Sequence, residues 1–383
     1  MNNLHDTLKA HVSNGSVPGA VALVARGDRV EVQAVGSADV EGTAPMARDS
    51  IFRIASVTKP IVAAAVMMLV EDGRIALDDP VAPWLPELAS PVVVRTPASP
   101  VEDVVPAARP ITVFDLQTSC AGYGFPSDFS LPALQPLLSE LRQGPPQPRL
   151  VPPPDAWMAA LSRIPLLRQP GEAWLYNTCS DILGVLIARV SGQSLPEFLA
   201  ERLFEPLSMA DTGFDVPAGK RGRFTSYYRS DAAGRIEPAD APDGQWSSLP
   251  AFPSGAGGLV STVDDLHSFA RILLAEGSVE GRPLLSPASV RQLTSDQLTR
   301  SQREGSGLFL EGQSWGFGGS VDIETVHPWN VPGRYGWIGG TGTTAYLTPS
   351  TGVVTILLSQ REMTGPSAPA LMQDVWRYAA DAA

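Results

Sequence analysis

The chain has 383 residues, 44% of them hydrophobic and 18% charged, with a formal net charge of −12. That size and composition describe a globular protein with a large core and room for two lobes, and exclude a disordered chain. The acidic balance argues against nucleic acid or an anionic membrane as partner, since both need a basic face, and no apolar run approaches the roughly 20 residues of a membrane-spanning helix.

In chain order, residues 3–14 read as a helix and residues 20–25 as an apolar strand. Gly27-Asp28 is a hairpin turn, and Val30, Val32 and Ala34 alternate with polar residues as in a half-buried strand. A short strand over 51–54 leads to a helix from Ser56 to about Gly73, apolar all round and hence buried. Residues 80–250 change character, with prolines clustered at 91–110 and 145–154 between helical patterns at 112–118, 131–141, 155–164, 180–190 and 195–204. Strand character returns at 315–321, 343–347 and 353–358, and a last helix covers about 369–380. Strands at both ends with helices between predict one sheet built from both ends of the chain and a helical insertion.

The chemistry begins at Ser56-Val57-Thr58-Lys59. Residues i and i+3 of a helix are surface neighbours, so a poor hydroxyl nucleophile has an amine beside it. A helix start also offers free N–H groups to a developing negative charge. The chain has only three lysines, Lys9, Lys59 and Lys220, and the Ser-x-x-Lys spacing occurs once. The competing reading makes Ser56 a cap and Lys59 a solvated side chain; against it, Lys59 falls within an apolar helix. Tyr176-Asn177, just before a helix, offers a third polar group. A nearby ammonium lowers a tyrosine from its usual ~10 and makes a phenolate base, although Tyr176 also reads as a core aromatic. Gly336-Trp337-Ile338-Gly339-Gly340 leads into a strand and lets substrate approach the backbone, or is an ordinary glycine-rich turn. Ser254-Gly255-Ala256-Gly257-Gly258 reads as structural, with Ser261 or Thr262 capping a helix.

Other chemistries lack their parts. No Gly-x-Ser-x-Gly elbow occurs. His5, His11, His267 and His327 show no metal-ligand spacing, so neither metal nor cofactor is expected. Cys120 and Cys179 read as two free buried thiols, although they could pair. The first ten residues show no basic and apolar leader, from which no secretory signal and a cytoplasmic location are expected.

Taken in this order, Ser56-x-x-Lys59, Tyr176-Asn177 and Gly336-Trp337-Ile338-Gly339-Gly340 resemble the class C β-lactamase and penicillin-recognising serine hydrolase family. So do Val17-Pro18-Gly19-Ala20, Phe204-Glu205-Pro206-Leu207 and Gly257-Gly258-Leu259-Val260-Ser261-Thr262. The resemblance implies an α/β (α+β) fold: an antiparallel sheet flanked by helices, plus a mostly helical lobe. It implies one domain over 1–383, with the sheet lobe at about 1–80 and 290–383 and the helical lobe at about 81–289. It also implies Ser56, Lys59 and Tyr176 as catalytic, the N–H groups of Ser56 and Gly340 as oxyanion hole, and Trp337, Asn177 and Gly339 as substrate-binding. Two departures matter. The family's Tyr-x-Asn is Tyr176-Asn177-Thr178 here, which leaves open whether Asn177 or Thr178 fills the Asn role. Trp337 replaces the usual Lys or His that binds a penicillin carboxylate, as in the esterase branch, the family VIII carboxylesterases. A hydrolase of small esters is therefore expected, with a small-molecule substrate, ahead of a β-lactamase, a D-amino-acid peptidase or an acyltransferase. A non-catalytic binding member of the fold is the alternative of another class.

Overall fold

The computed structural model describes residues 3–279 and 281–381. Asn3 caps helix α1 (Leu4–Ser13) by accepting from the Asp6 N–H. Strands β1 (Gly19–Arg26) and β2 (Arg29–Gly36) then form the hairpin expected at Gly27-Asp28, with Arg26 opposite Arg29. Five further strands come from the other end of the chain: β3 (Ser314–Trp315), β4 (Ser320–Val321), β5 (Tyr335–Gly339), β6 (Thr343–Thr348) and β7 (Val353–Ser359). They join in the order β3-β4-β5-β6-β7-β1-β2, all antiparallel.

Both ends of the chain therefore meet inside the sheet, one strand from its β2 edge, where β1 lies against β7 with Ala20 opposite Ser359. Strand β7 is buried throughout, which is why its sequence is continuously apolar rather than alternating. Ala20, Ala22 and Val24 face α1 and α5 (Ala370–Asp381); Val21, Leu23 and Ala25 face the main core. That core contains α2 (Thr58–Glu71), α3 (Thr178–Ser191) and α4 (Val263–Leu274).

Several boundaries depart from expectation for local reasons. The segment 51–54 gives only Phe52–Arg53, which pairs with Val260–Ser261 and not with the main sheet. The stretch 315–321 splits into β3 and β4 around a glycine turn. Gly318 there has φ +70, and a Cβ on it would stand 2.5 Å from the Lys59 carbonyl. Strand β5 does not show as a strand in the sequence because its glycines and lone tryptophan mask the alternation. Helix α4 packs on β1, β6 and β7, so residues 263–274 sit with the sheet and not in the lobe expected for 81–289. No single helix among the described residues is long and apolar enough to cross a membrane. Both cysteines are free and buried.

Candidate active site

The helix expected from Ser56 begins two residues later. Ala55–Val57 form a 3-10 turn and α2 starts at Thr58. Ala55 has φ 42, a left-handed conformation that costs a non-glycine residue about 1–2 kcal/mol and cannot continue a right-handed helix. The turn is held by the β5–β6 hairpin. Thr341 Oγ1 donates to the Arg53 carbonyl at 2.5 Å and Thr343 Oγ1 to that of Ile54 at 3.0 Å. Gly339 is required there, since a Cβ would lie 2.4 Å from the Ile54 carbonyl oxygen.

Although the turn is not α-helical, Ser56 and Lys59 meet: Lys59 Nζ lies 2.9 Å from Ser56 Oγ. The same ammonium donates to Asn177 Oδ1 at 2.9 Å and to the Ala256 carbonyl at 2.6 Å. Three acceptors match its three donors. Lys59 is only 1% exposed, and burial lowers its pKa to about 7, while the negative charge of Asp181 acts in the other direction. A lysine in this setting is part neutral near pH 7, as a general base must be.

Tyr176 is fixed by backbone bonds with Phe125 in both directions, at 2.8 and 3.0 Å. The next residue, Asn177, has φ 83 and ψ −65, and the Thr178 N–H donates to the Tyr176 carbonyl at 3.2 Å. This is the rarer, strained hand of γ-turn. It aims the Asn177 amide at Lys59, while the Thr178 hydroxyl turns to Gln143 Oε1 at 2.5 Å. Asn177, not Thr178, therefore reaches the lysine. The expectation that a nearby ammonium lowers Tyr176 is corrected. Burial pushes its phenol up to about 12, only partly offset by Ser56 and Trp337. Lys59 Nζ sits over the ring, 4.7 Å from its centroid, and not at the hydroxyl.

Trp337 lines the same cavity as Ser56 and donates its indole N–H to Tyr176 Oη at 2.7 Å. It is wedged edge-on against Trp315 with centroids 4.8 Å apart. Gly340 also lines the cavity, of about 450 Å³, which extends under the loop 141–148.

Four further participants went unread in the sequence. Asp181, in the first turn of α3, accepts from the Ser254 hydroxyl at 2.6 Å, the Ala256 N–H at 3.0 Å and Gln143 Nε2 at 3.1 Å. Burial raises its pKa, against these donors and Lys59. The stretch from Ser254, read as structural, thus presents its Ala256 carbonyl to the lysine, and only the Thr262 cap on α4 is purely structural. Gly255 permits the approach, since a Cβ would meet the Ser180 carbonyl at 2.3 Å. One signal for Asp181 existed: a helix apolar on every side from Ile182 to Ile187 must bury its acid and give it partners.

The beta-lactamase family model matches residues 4–379. The chain belongs to the beta-lactamase family. Among relatives of this beta-lactamase-family protein, one from Mycobacterium tuberculosis is 36% identical, over 90% of this chain and 86% of its own. Esterase EstB of Burkholderia gladioli is 31% identical, over 92% and 88%, and lovastatin esterase of Penicillium rubens 29%, over 89% and 88%. The solved structure of EstCE1, a hydrolase with promiscuous acyltransferase activity, shares the fold with TM-score 0.78 at 24% identity, over 98% of this chain and 97% of that one. Family and relatives together indicate a serine hydrolase or acyltransferase.

Proposed function

We propose that this beta-lactamase-family protein hydrolyses small carboxylic esters through an acyl-enzyme on Ser56. The observation that carries the reading is the 2.9 Å contact between Ser56 Oγ and a buried Lys59 whose pKa is lowered to about 7. Neutral Lys59 accepts the Ser56 proton as Oγ attacks the ester carbonyl. The oxyanion that forms is held by the N–H groups of Ser56 and Gly340, both bordering the cavity. Tyr176 stays a phenol. With Trp337 donating to its oxygen, its own hydrogen is free to go to the departing alkoxide, and the Lys59 ammonium restores it through the water that enters as the alcohol leaves. Water then attacks the acyl-enzyme, again deprotonated by Lys59, and releases the acid and free Ser56. Asn177 keeps Nζ directed at Ser56.

Trp337 favours ester over β-lactam substrates, because an indole offers one donor and no charge to a carboxylate beside the scissile bond. The relatives named as esterases support the same choice. A fluorophosphonate probe is expected to leave one adduct, on Ser56, with short p-nitrophenyl esters turned over far faster than nitrocefin. An adduct on another residue, or nitrocefin turnover as fast as ester turnover, overturns the proposal. Transfer of the acyl group to an alcohol is the second reading. It is favoured by the mostly apolar wall of the cavity, which suits an organic acceptor in competition with water, and by relatives such as acyltransferase calJ of Penicillium decumbens.

A further inference from the structure

Two formal charges reach the cavity without belonging to the Lys59–Asp181 pair. Arg142 is exposed at its rim, where water and salt weaken any attraction it exerts. Glu362, on the segment after β7, is half-buried in the wall. Its position is fixed by the backbone. Its N–H donates to the Tyr228 carbonyl at 2.7 Å, and the following N–H, of Met363, donates to the Gly340 carbonyl at 2.8 Å. The backbone that carries this carboxyl group is thereby tied to the residue assigned to the oxyanion.

Glu362 has no cation of its own among the described residues. The Arg229 guanidinium acts on it from a distance but is paired with Glu237 at 2.6 Å. Arg53, behind Tyr227, is paired with Asp240 at 2.6 Å. Tyr227 stands beside Glu362, and its buried hydroxyl is near enough to lower the carboxyl somewhat, although the two fall short of full hydrogen-bond geometry; it is a neutral neighbour and supplies no counter-charge. Burial holds the Glu362 carboxyl above its ordinary range, as for an anion that has lost water without gaining a counter-charge. The cavity wall includes the aromatic side chains of Tyr227, beside Glu362, and of Trp246 and Phe252, and aromatic faces attract cations.

We infer that Glu362 is a specificity-determining residue that seats a positively charged group, so that the preferred substrates are esters carrying an ammonium group remote from the scissile bond. The inference rests on the ester-hydrolase reading above. A half-buried carboxylate without a paired cation is costly, and an entering ammonium lowers that cost while its own water is replaced by the carboxylate and the rings. Trp337 acts in the same direction, because the indole that lines the same cavity brings no fixed cation to compete for Glu362.

The test uses three p-nitrophenyl esters matched in length: of an ω-aminoalkanoic acid, of the corresponding alkanoic acid and of the corresponding dicarboxylic acid. For the natural protein, kcat/KM on the ammonium ester is expected to exceed that on the neutral ester by about tenfold or more, the scale of a charge-assisted hydrogen bond, with the carboxylate ester slowest. In Glu362→Gln the ammonium-to-neutral ratio falls toward one. Equilibrium binding of the same esters to Ser56→Ala, with and without Glu362→Gln, is expected to show the same preference and the same loss. An equal rate on ammonium and neutral esters, or a ratio unmoved in a folded Glu362→Gln protein, overturns the inference and leaves the esterase reading standing. Preference for the carboxylate ester also overturns it and transfers recognition to Arg142. If none of the three esters is turned over, the esterase reading fails, and the binding comparison on Ser56→Ala still decides the role of Glu362.

Discussion

Replacing Asp181 by asparagine changes one charge and almost no shape. The oxygen that accepts from Ser254 and Ala256 is kept. The new amide can donate to Gln143 if that side chain turns over, and the Thr178 hydroxyl can then accept in place of donating. The lost charge matters to Lys59. Nζ is 2.6 Å from the Ala256 carbonyl, and the N–H of the same residue is 3.0 Å from Asp181. One residue of backbone adds about 3.5 Å, so the charges lie within roughly 9 Å. At an effective dielectric constant of ~20 their attraction is about 2 kcal/mol, enough to move a titration by more than one pH unit. The sign follows from the pairing. Asp181 favours the ammonium, so its removal lets Lys59 lose its proton at lower pH. The acid limb of kcat/KM on a neutral ester, expected near the Lys59 value of about 7, should move to roughly pH 6 in Asp181→Asn. Rates measured between about pH 5 and 9, with a thermal melt to verify folding, decide it. A limb that stays in place or moves upward refutes the assignment of Lys59 as base under Asp181 control. A rate still climbing at the alkaline end implicates Tyr176 instead.

Four other substitutions probe the remaining parts. Trp337→Phe keeps a ring but removes the donor on Tyr176, and kcat should fall about tenfold, the scale of one hydrogen bond, with KM for a neutral ester little changed; a change in KM alone would reduce Trp337 to a wall. Trp337→Lys should raise turnover of carboxylate-bearing relative to neutral esters by about tenfold or more, and an unchanged ratio in a folded variant removes its pocket role. Asn177→Gly relieves a strained φ of 83 but leaves one donor of buried Lys59 unmatched, two effects of about 1 kcal/mol or more that oppose each other, so the melting temperature should change little while kcat falls through loss of the amide on Lys59; a variant that keeps full activity shows that the amide is dispensable. Gly339→Ala places a Cβ 2.4 Å from the Ile54 carbonyl and should cost at least tenfold in kcat/KM by moving the Ser56 turn, which normal activity would contradict.

The parts of this protein legible in its sequence are those written in periodicity or short spacing. The β1–β2 hairpin, the buried α2 and the apolar β7 show because each repeats one local rule over many residues. Ser56 and Lys59 show because four residues suffice to bring them together. Tyr176 and Asn177 could be located but not given their chemistry. Whether the phenol is raised or lowered depends on burial by Phe309, Trp174 and Trp337, which come from distant segments. Asp181, Gln143 and Ala256 stayed hidden because each is an ordinary residue locally and becomes part of the site only where three separate segments touch. Strand β5 stayed hidden because the glycines that let it approach Ile54 are the residues that weaken a strand pattern.

The clamp on the Ser56 turn sets the order in which this protein can become active during synthesis. Ser56, Lys59 and Tyr176 all emerge before the sheet is complete, yet the hydroxyls that fasten the backbone before Ser56, the proposed nucleophile, belong to Thr341 and Thr343. Translation at roughly 5–20 residues per second needs on the order of 15–60 s to travel from β2 to β6. Until then β1 lacks its neighbour β7, the sheet is open beside it, and the turn at Ala55 has only the pairing of Phe52–Arg53 with Val260–Ser261 to hold it, without the two threonine hydroxyls. A ribosome-bound chain halted short of the β5–β6 hairpin would contain all three reactive side chains and remain inert. Such sequence-distant pairing is slow to fold, and on the proposed mechanism the same delay keeps Ser56 out of service until the sheet around it has closed.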